Sequence, residues 1–575
     1  MKPKSSIALL IHLIIFIPLV LWAQSSAPII TIHENFDKDP QWEGVNNRVE
    51  GSNCPTITQA FGWAPTNKTG LGPGEIGGII WRSTTPSYYA IPINKPLSFK
   101  DPFSASGKIA VIVPPEGGVG FYIGFFNAER QGWRVWSSCG FRIGDMENGN
   151  ARLYLDYKTG KACGAILNPD LEIPGNGSVH TWELQYDPHA SVAQEKWPDA
   201  RLPRYFEGRS GSVHTDTLLA AIHKDDPSMT QEKLLGLLFK ARDAGLVDDW
   251  YRKGTYHLWT LERYPERIKG KITFTFDGNS VSYYLIPGHQ DLPTFMNRFG
   301  IYNMQMYTGS LEFYVSDLVV NGKQIDLSQD PHWQGLNNTV TFTETDFHSR
   351  HNYGYSQTNW AGERPGEIGG RFWGTEVIDP LQGYYATDIG ELTLDDPIKF
   401  AGRISFTEGA VDGRMLIGYF NKHEKMAPVT GEYKGNPPNQ YLGLEVMDQT
   451  SLGYSFTAVC SPKQSISAED RGPTIIPDRI SRHFTFEYDP HAGKSGRITV
   501  SLGADKFSYD LTEEQRKTGS TFDRFGLLNP RKGGKYVDVY FDDLTYSSRI
   551  PKDKTAKHKQ EVVKEPYPRG GRKYF

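Results

Sequence analysis

Two glutamates stand in identical surroundings. Glu75 lies in Pro73-Gly-Glu-Ile-Gly-Gly78 and Glu367 in Pro365-Gly-Glu-Ile-Gly-Gly370. Glycines on both sides permit a tight turn and close approach of a ligand. A carboxylate at such a turn, if burial raises its pKa, is a candidate general acid or base. The same pattern also suits a buried carboxylate that accepts backbone N–H groups, so the motif has a structural reading beside the chemical one. Around Glu75 the sequence offers hydrogen-bond donors and flat apolar faces: Asn46, Asn47 and Arg48, then Trp63, Asn67, Arg82, Tyr88 and Tyr89. Amides beside an aromatic ring supply what a sugar needs, directed hydrogen bonds plus an apolar face. Trp42 and Trp63 are the nearest rings, Trp42 also reading as core. Arg134 and Arg142 add forked cations suited to a carboxylate or sulfate.

Both glutamates belong to a long internal repeat. Phe61 to Ala90 recurs as Tyr353 to Ala386, at a constant spacing of 292 residues as far as the glutamates. Asp39-Pro-Gln-Trp-Glu-Gly-Val-Asn-Asn47 recurs as Asp330-Pro-His-Trp-Gln-Gly-Leu-Asn-Asn338, and Ile123-Gly-Phe-Phe-Asn127 as Ile417-Gly-Tyr-Phe-Asn421. Tyr186-Asp-Pro-His189 matches Tyr488-Asp-Pro-His491, and Phe313 to Leu318 matches Val539 to Leu544. So long a period means duplicated domains, expected over residues 28–326 and 327–549. The arginines are concentrated in the first copy. Thr339 stands for Arg48 and Gly374 for Arg82, with Arg371 partly replacing the latter. The first copy is therefore the fuller candidate site.

The elements that must position these residues read as strands. Lys271 to Phe276 and Arg497 to Leu502 alternate with period two, while Phe121 to Phe126 reads as a strand buried on both faces. Turn signals such as Asp277-Gly-Asn separate them, and many short strands argue for an all-β sandwich. The first copy carries a partly helical insertion, about 189–270, where the second has four residues. Ser228 with Gln231 reads as a capping box, Leu234, Leu235, Leu238 and Ala241 as one apolar face, and Gly245 as the stop.

The 575 residues carry a net charge of −4, so bulk electrostatics points to neither nucleic acid nor a membrane surface. Lys2 and Lys4, an apolar run from Ile7 to Trp22 and then Ala23 read as a signal peptide over residues 1–23, hence a secreted, periplasmic or surface-associated location. No later stretch is long and apolar enough to span a bilayer. The basic segment 550–575 has no apolar periodicity and reads as disordered. Four cysteines are few for a disulfide framework, though Cys139 and Cys163 are a candidate pair.

The duplicated, alternating pattern and the closing Val539-Tyr-Phe-Asp-Asp-Leu544 resemble the concanavalin A-like (laminin G-like) lectin/glucanase superfamily. The resemblance is one of fold and covers both copies. It implies two tandem jelly-roll β-sandwiches, a carbohydrate polymer as partner, and a carboxylate on the last strand, Asp317 or Asp543, helping to hold a structural Ca²⁺. The glucanase branch carries Glu-x-Asp-x-x-Glu on one strand. Glu445-Val-Met-Asp448 has the wrong spacing for it, and nothing near Arg142 corresponds. The expectation is thus a secreted polysaccharide-binding protein, with a glycoside hydrolase or polysaccharide lyase centred on Glu75 as the alternative and a structural adhesion protein as the third reading.

Overall fold

The computed structural model describes residues 27–551 and 563–564, except 51–53, 71, 113–117, 131, 148, 168–170, 192–210, 244–247, 252–254, 259–268, 287, 345–350, 374–382, 411–412, 425–437, 449–453, 462–471 and 530–534. The leader expected over 1–23, nearly all of the basic tail, Gly245 and much of the insertion lie outside the described residues.

Alternation builds the sheets as the sequence implies. Lys269–Phe276 buries every second side chain, as does Arg497–Leu502, because one face meets a core and the other meets solvent. The chain forms two antiparallel sandwiches, each of two sheets. In sandwich 1 the front sheet runs Cys163–Leu167, Asn150–Lys158, Ser138–Glu147, Gly120–Phe126, Met296–Asn303, Tyr88–Leu97, Gln334–Leu336. Its back sheet centres on Asn176–Ser191, Phe103–Ile112, Ser310–Val320 and Glu75–Trp81. Sandwich 2 repeats the plan, with a front sheet through Tyr384–Thr393, Thr521–Leu528, Arg414–Phe420 and Tyr441–Asp448. The core of each is aromatic. Phe121, Phe125, Phe141 and Phe313 pack in sandwich 1, and Phe400, Phe484, Phe486 and Phe525 in sandwich 2.

The ladders do not follow the sequence repeat. Ile30–Glu34 pairs with Tyr536–Ser548, and Glu43–Val45 pairs with Tyr384–Thr393, so the N-terminal segment 30–50 completes sandwich 2. The matching segment of the second repeat, Gln334–Leu336 and Thr339–Thr343, completes sandwich 1 by pairing with Tyr88–Leu97 and Thr56–Ala64. Each segment is a strap on the other repeat's sheets. The repeated motifs are the two halves of this clasp. Trp42 packs against Tyr385, Phe525 and Tyr546, and Tyr385 Oη donates to Asp39 at 3.4 Å. Trp333 stacks on Tyr89, whose Oη donates to Asp330 at 3.1 Å. Asn47 donates from Nδ2 to Tyr353 O, and Asn338 to Phe61 O in the same way. Glycine is required where the strap passes. A Cβ on Gly74 would lie 1.9 Å from Leu327 O and one on Gly366 2.2 Å from Phe36 O, both at positive φ.

The insertion is partly helical, with helices Thr215–Ile222 and Gln231–Asp243. Leu234 and Leu238 are fully buried, as the apolar face requires. The cap is Thr230 rather than Ser228: Thr230 Oγ1 accepts from Lys233 N, while Ser228 Oγ turns back to Asp226. Cys139 and Cys163 are both free thiols. Cys139 lies opposite Tyr157 and Cys163 opposite Lys158, so the two point to opposite faces of the front sheet and cannot bond.

The clasp makes a specific demand on sandwich 2. Trp42→Ala should cost about 3–5 kcal/mol, and hydrogen exchange should rise in 384–393 and 536–548 while the sheets of sandwich 1 stay protected. Trp333→Ala should give the reverse map.

Candidate functional site

Glu75 is fully buried, and both of its oxygens are committed to one turn. Oε1 accepts from Thr66 Oγ1 at 2.5 Å and Lys68 N at 2.8 Å; Oε2 accepts from Thr69 N at 3.1 Å and Thr69 Oγ1 at 2.9 Å. Glu367 repeats this with Thr358 Oγ1, Trp360 N and Ala361 N. A carboxylate saturated by local donors shapes its turn and presents no lone pair to a substrate. Asn67 closes the same turn, its Oδ1 accepting from Gly72 N.

The other residues expected around Glu75 are dispersed, because the straps carry part of them away. Asn46, Asn47 and Arg48 stand against sandwich 2, where Arg48 Nη2 donates to Tyr355 O at 2.5 Å. Asn46 holds a left-handed turn, φ 50°, as does its counterpart Asn337, φ 49°, which is a reason for asparagine independent of any ligand. Trp63 Nε1 donates to Leu327 O, and Tyr89 is engaged with Trp333 and Asp330. Asp317 and Asp543 both sit at positive φ, 52° and 50°, in their last strands. Asp317 accepts from Gln324 Nε2. Among the described residues no group of three or more His, Cys, Asp or Glu side chains could hold a metal ion. The recurring aspartate is thus explained by local backbone conformation.

Arg82, Tyr88, Arg134 and Arg142 do come together, on the outer face of the front sheet of sandwich 1. Ladder partners share a face, so the register Tyr88–Tyr302–Tyr122–Arg142–Tyr154 is a continuous row across five strands. Tyr122 stacks on Tyr302 with centroids 5.1 Å apart, and the Arg142 guanidinium lies 4.0 Å from the Tyr154 ring centroid. Asp156, two residues beyond Tyr154, anchors Arg134 through a forked ion pair with Nε and Nη2 and accepts from Tyr122 Oη at 3.3 Å. Arg82 Nη1 donates to Val119 O at 3.2 Å. The charges of Arg142, Arg134 and Arg82 all reach the Tyr122 hydroxyl. Burial, reinforced by Asp156, nevertheless holds that hydroxyl protonated well above the ordinary tyrosine range, and burial does the same for Tyr302.

Two segments cover the row, residues 132–137 and 304–308, clasped where Gly132 N donates to Gln305 Oε1 at 2.6 Å. Trp133 and Met304 pack on the tyrosines from these segments. The cover is tight: Arg134 is 1% exposed, Arg82 2% and Arg142 6%. Lys158 Nζ lies 4.1 Å from the Trp136 ring centroid and donates to Arg134 O, tying the cover to the sheet edge. In sandwich 2 the equivalent row is Tyr384–Leu528–Leu416–Glu445–Thr457, without an arginine or a tyrosine pair. Tyr302, Tyr122, Tyr154 and Asp156 escaped sequence reasoning. Their only signal was a strand without alternation, Gly120–Phe126, whose every residue is buried.

No family model matches the chain, and the search of curated proteins gives no match. Among solved structures, the mouse laminin alpha1 chain, domains LG4-5, is similar over 85% of this chain and 91% of its own, at 10% identity and a TM-score of 0.22. The Emp47p carbohydrate recognition domain is similar over 35% of this chain and 89% of its own, at 12% identity and a TM-score of 0.22. At scores of this size neither likeness extends to function.

Two outcomes test the carboxylates. Glu75→Gln and Glu367→Gln should each lower stability by about 1.5–3 kcal/mol, the range for hydrogen bonds to a charged group, with equal effects in denaturant titration. Asp542 is buried, and its carboxyl is pushed up to about 7 by burial, with Asp543, Glu367 and Asp37 adding repulsion. Its folded pKa exceeds its unfolded one, so the folded state holds the extra proton and stability falls as pH rises from about 4 to about 7. Asp542→Asn should flatten the dependence of Tm on pH across that window.

Proposed function

We propose that the chain is an exported carbohydrate-binding protein whose site is the tyrosine–arginine row on the front sheet of sandwich 1, with an acidic sugar as ligand. The observation that carries the reading is the difference between duplicated sheets. Sandwich 1 places four tyrosines and an arginine in one row, with Arg82 and Arg134 beside it, where sandwich 2 keeps the first tyrosine, Tyr384, and follows it with two leucines, a glutamate and a threonine. A stack of tyrosines with several arginines is not needed to close such a fold, since the sister sandwich closes with leucines and a single buried Arg414–Glu445 pair in the same layer. Protonated tyrosine hydroxyls donate hydrogen bonds to sugar oxygens, and guanidinium forks recognise carboxylate or sulfate. The clasped cover of 132–137 and 304–308 must open to admit the ligand.

The same chemistry bears on the catalytic alternative. A lyase needs a base, and tyrosines held protonated above their ordinary range serve as donors rather than bases. Glu75, the candidate acid or base, is fully occupied by its turn. Both facts support binding over bond cleavage. The expected location is outside the cytoplasm, on the basis of the leader expected from the sequence over residues 1–23. Among the described residues no helix is long and apolar enough to cross a membrane.

Tyr302→Phe and Arg142→Gln preserve the packing volume of the row approximately. Calorimetric titration with alginate and chondroitin sulfate should show each variant at least about tenfold weaker than wild type, equivalent to 1.4 kcal/mol, with Tm little changed. Variants that lose Tm and keep affinity would instead assign the row to packing of the sandwich.

A further inference from the structure

Three side chains at one end of the back sheet of sandwich 1 form a relay of hydrogen bonds. Ser178 Oγ and His180 Nε2 are 2.8 Å apart, and His180 Nδ1 and Asp277 Oδ2 are 2.6 Å apart. The carboxylate selects the tautomer. Nδ1 carries the proton donated to Asp277, which leaves Nε2 to accept from the serine hydroxyl. The imidazole lies on the Phe276 ring, with centroids 5.3 Å and planes 18° apart. The other oxygen, Asp277 Oδ1, accepts from Thr181 N at 2.8 Å and from Thr181 Oγ1 at 3.2 Å. Burial raises this carboxyl, but the bonds from His180 and Thr181 outweigh it and hold the group below the usual aspartate range. Hydroxyl, base and orienting carboxylate thus stand within hydrogen-bond reach in the order that acyl transfer needs.

The backbone aims these residues. The ladder of Asn176–Ser191 on Phe103–Ile112 slips between Asn176 and Val179, where one residue is extra. Gly177, at φ 82°, lies in this bulge, and Ser178 N donates to Asn176 Oδ1 within it. Bulges re-aim side chains. Asp277 and Gly278, at φ 46° and 82°, make the hairpin turn that leads into Asn279–Tyr284. The site faces solvent, with the Asp277 side chain 42% exposed and that of His180 14%. Sandwich 2 builds the same hairpin without these groups. The ladder pair Trp182–Phe276 corresponds to Phe484–Leu502, so Ser178, His180 and Asp277 correspond to Ile480, Arg482 and Gly503. Asp277 N donates to Thr181 O at 3.0 Å, and Gly503 N to His483 O at 2.8 Å, so the turn backbone is the same in both. Closing the fold therefore does not require the serine, the histidine or the aspartate.

We propose that Ser178 and His180 are the catalytic residues of an acyl-transfer site, with Asp277 positioning His180, and that its substrate is a carboxylic ester of a small acyl group. Ser178 Oγ attacks the ester carbonyl carbon while its proton passes to His180 Nε2. Collapse of the tetrahedral adduct breaks the bond to the alcohol oxygen, and the alcohol leaves with that proton. Water then adds to the acyl-serine, giving a proton to Nε2, and the second collapse releases the carboxylic acid and restores Ser178. The bond cleaved is an ester and not a glycosidic bond. The site shares no residue with the tyrosine–arginine row, so it stands whether or not the row binds a sugar.

The test treats the full-length protein with a fluorophosphonate, which phosphonylates an activated serine, and separately with 4-nitrophenyl acetate. Peptide mass mapping locates the modified serine, and circular dichroism melts are recorded for each variant. Wild type should be phosphonylated at Ser178 and should release 4-nitrophenolate. Ser178→Ala should lose the label and most of the release. His180→Gln should slow both reactions at least about 10²-fold, the lower end for one acid–base group, at unchanged Tm. Asp277→Asn should slow both and move the midpoint of the pH–rate profile to lower pH, because the imidazolium loses its anionic partner. A residue that only shapes the turn leaves that midpoint in place. Ser178 unlabelled in wild type, or labelled as fast in His180→Gln as in wild type, overturns the proposal. Where His180→Gln melts early, the Asp277→Asn profile decides, and an unmoved midpoint overturns the proposal.

Discussion

The insertion of Trp42 and Trp333 into the opposite repeat's sandwich is the interaction on which the rest of the structure depends. Each indole meets the second tyrosine of a Tyr-Tyr-Ala strand, Tyr385 or Tyr89, and each tyrosine hydroxyl returns to the aspartate that opens the tryptophan's own motif. An indole buried to this degree contributes several kcal/mol, a large part of the stability of an ordinary domain. Because the straps cross, neither sandwich has a complete core without a segment of the other repeat. The crossing chains also run side by side. Val49 N donates to His351 O, Tyr353 N to Asn47 O and Glu344 N to Pro55 O. The two sandwiches are thus coupled through backbone as well as through core.

The outer face of the front sheet is filled differently in the two sandwiches. The back strands Lys269–Phe276 and Arg497–Leu502 alternate buried and less buried residues, whereas the central front strands Gly120–Phe126 and Arg414–Phe420 are buried throughout. What fills the outer layer differs between the copies. Sandwich 2 uses leucine, with an Arg414–Glu445 pair at 3.3 Å. Sandwich 1 uses stacked tyrosines, an arginine on an aromatic ring and a forked Arg134–Asp156 pair, all under a clasped cover. Burying charge is unfavourable unless it is paired and hydrogen-bonded, so the sandwich 1 layer, with Arg82, Arg134 and Arg142 all buried, costs more than the single Arg414–Glu445 pair of its sister. Divergence of that kind between duplicated domains is where function is to be sought.

Much of the fold was legible in the chain. Period-two alternation at Lys271 to Phe276 and the repeat itself carried the all-β, two-sandwich architecture, and Leu234 with Leu238 carried the helix of the insertion. Connectivity was not legible, because a repeat reports which segments are alike and not which segments pair. The strap 30–50 resembles 321–341 whether it closes its own sandwich or the next. That is why Asn47 and Arg48, which belong to the same sequence repeat as Glu75, lie against Tyr353 and Tyr355 of the other repeat instead. The site was half legible. Arg82, Arg134 and Arg142 stood out as cations absent from the second copy, and they converge. Their partners Tyr122, Tyr302 and Asp156 sit on strands whose uniform burial hid which face they occupy, and only the register reveals it.

The strap exchange is tested most directly by cutting the chain between it and the rest. A protease site placed at residues 51–53 separates the strap from sandwich 1 without altering either. After cleavage under native conditions, the strap fragment should co-elute with the remainder in gel filtration, because the ladders Ile30–Glu34 on Tyr536–Ser548 and Glu43–Val45 on Tyr384–Thr393 hold it to sandwich 2. It should leave only in denaturant. Release of the fragment on cleavage, with the remainder retaining its native circular dichroism and melting temperature, would contradict the account.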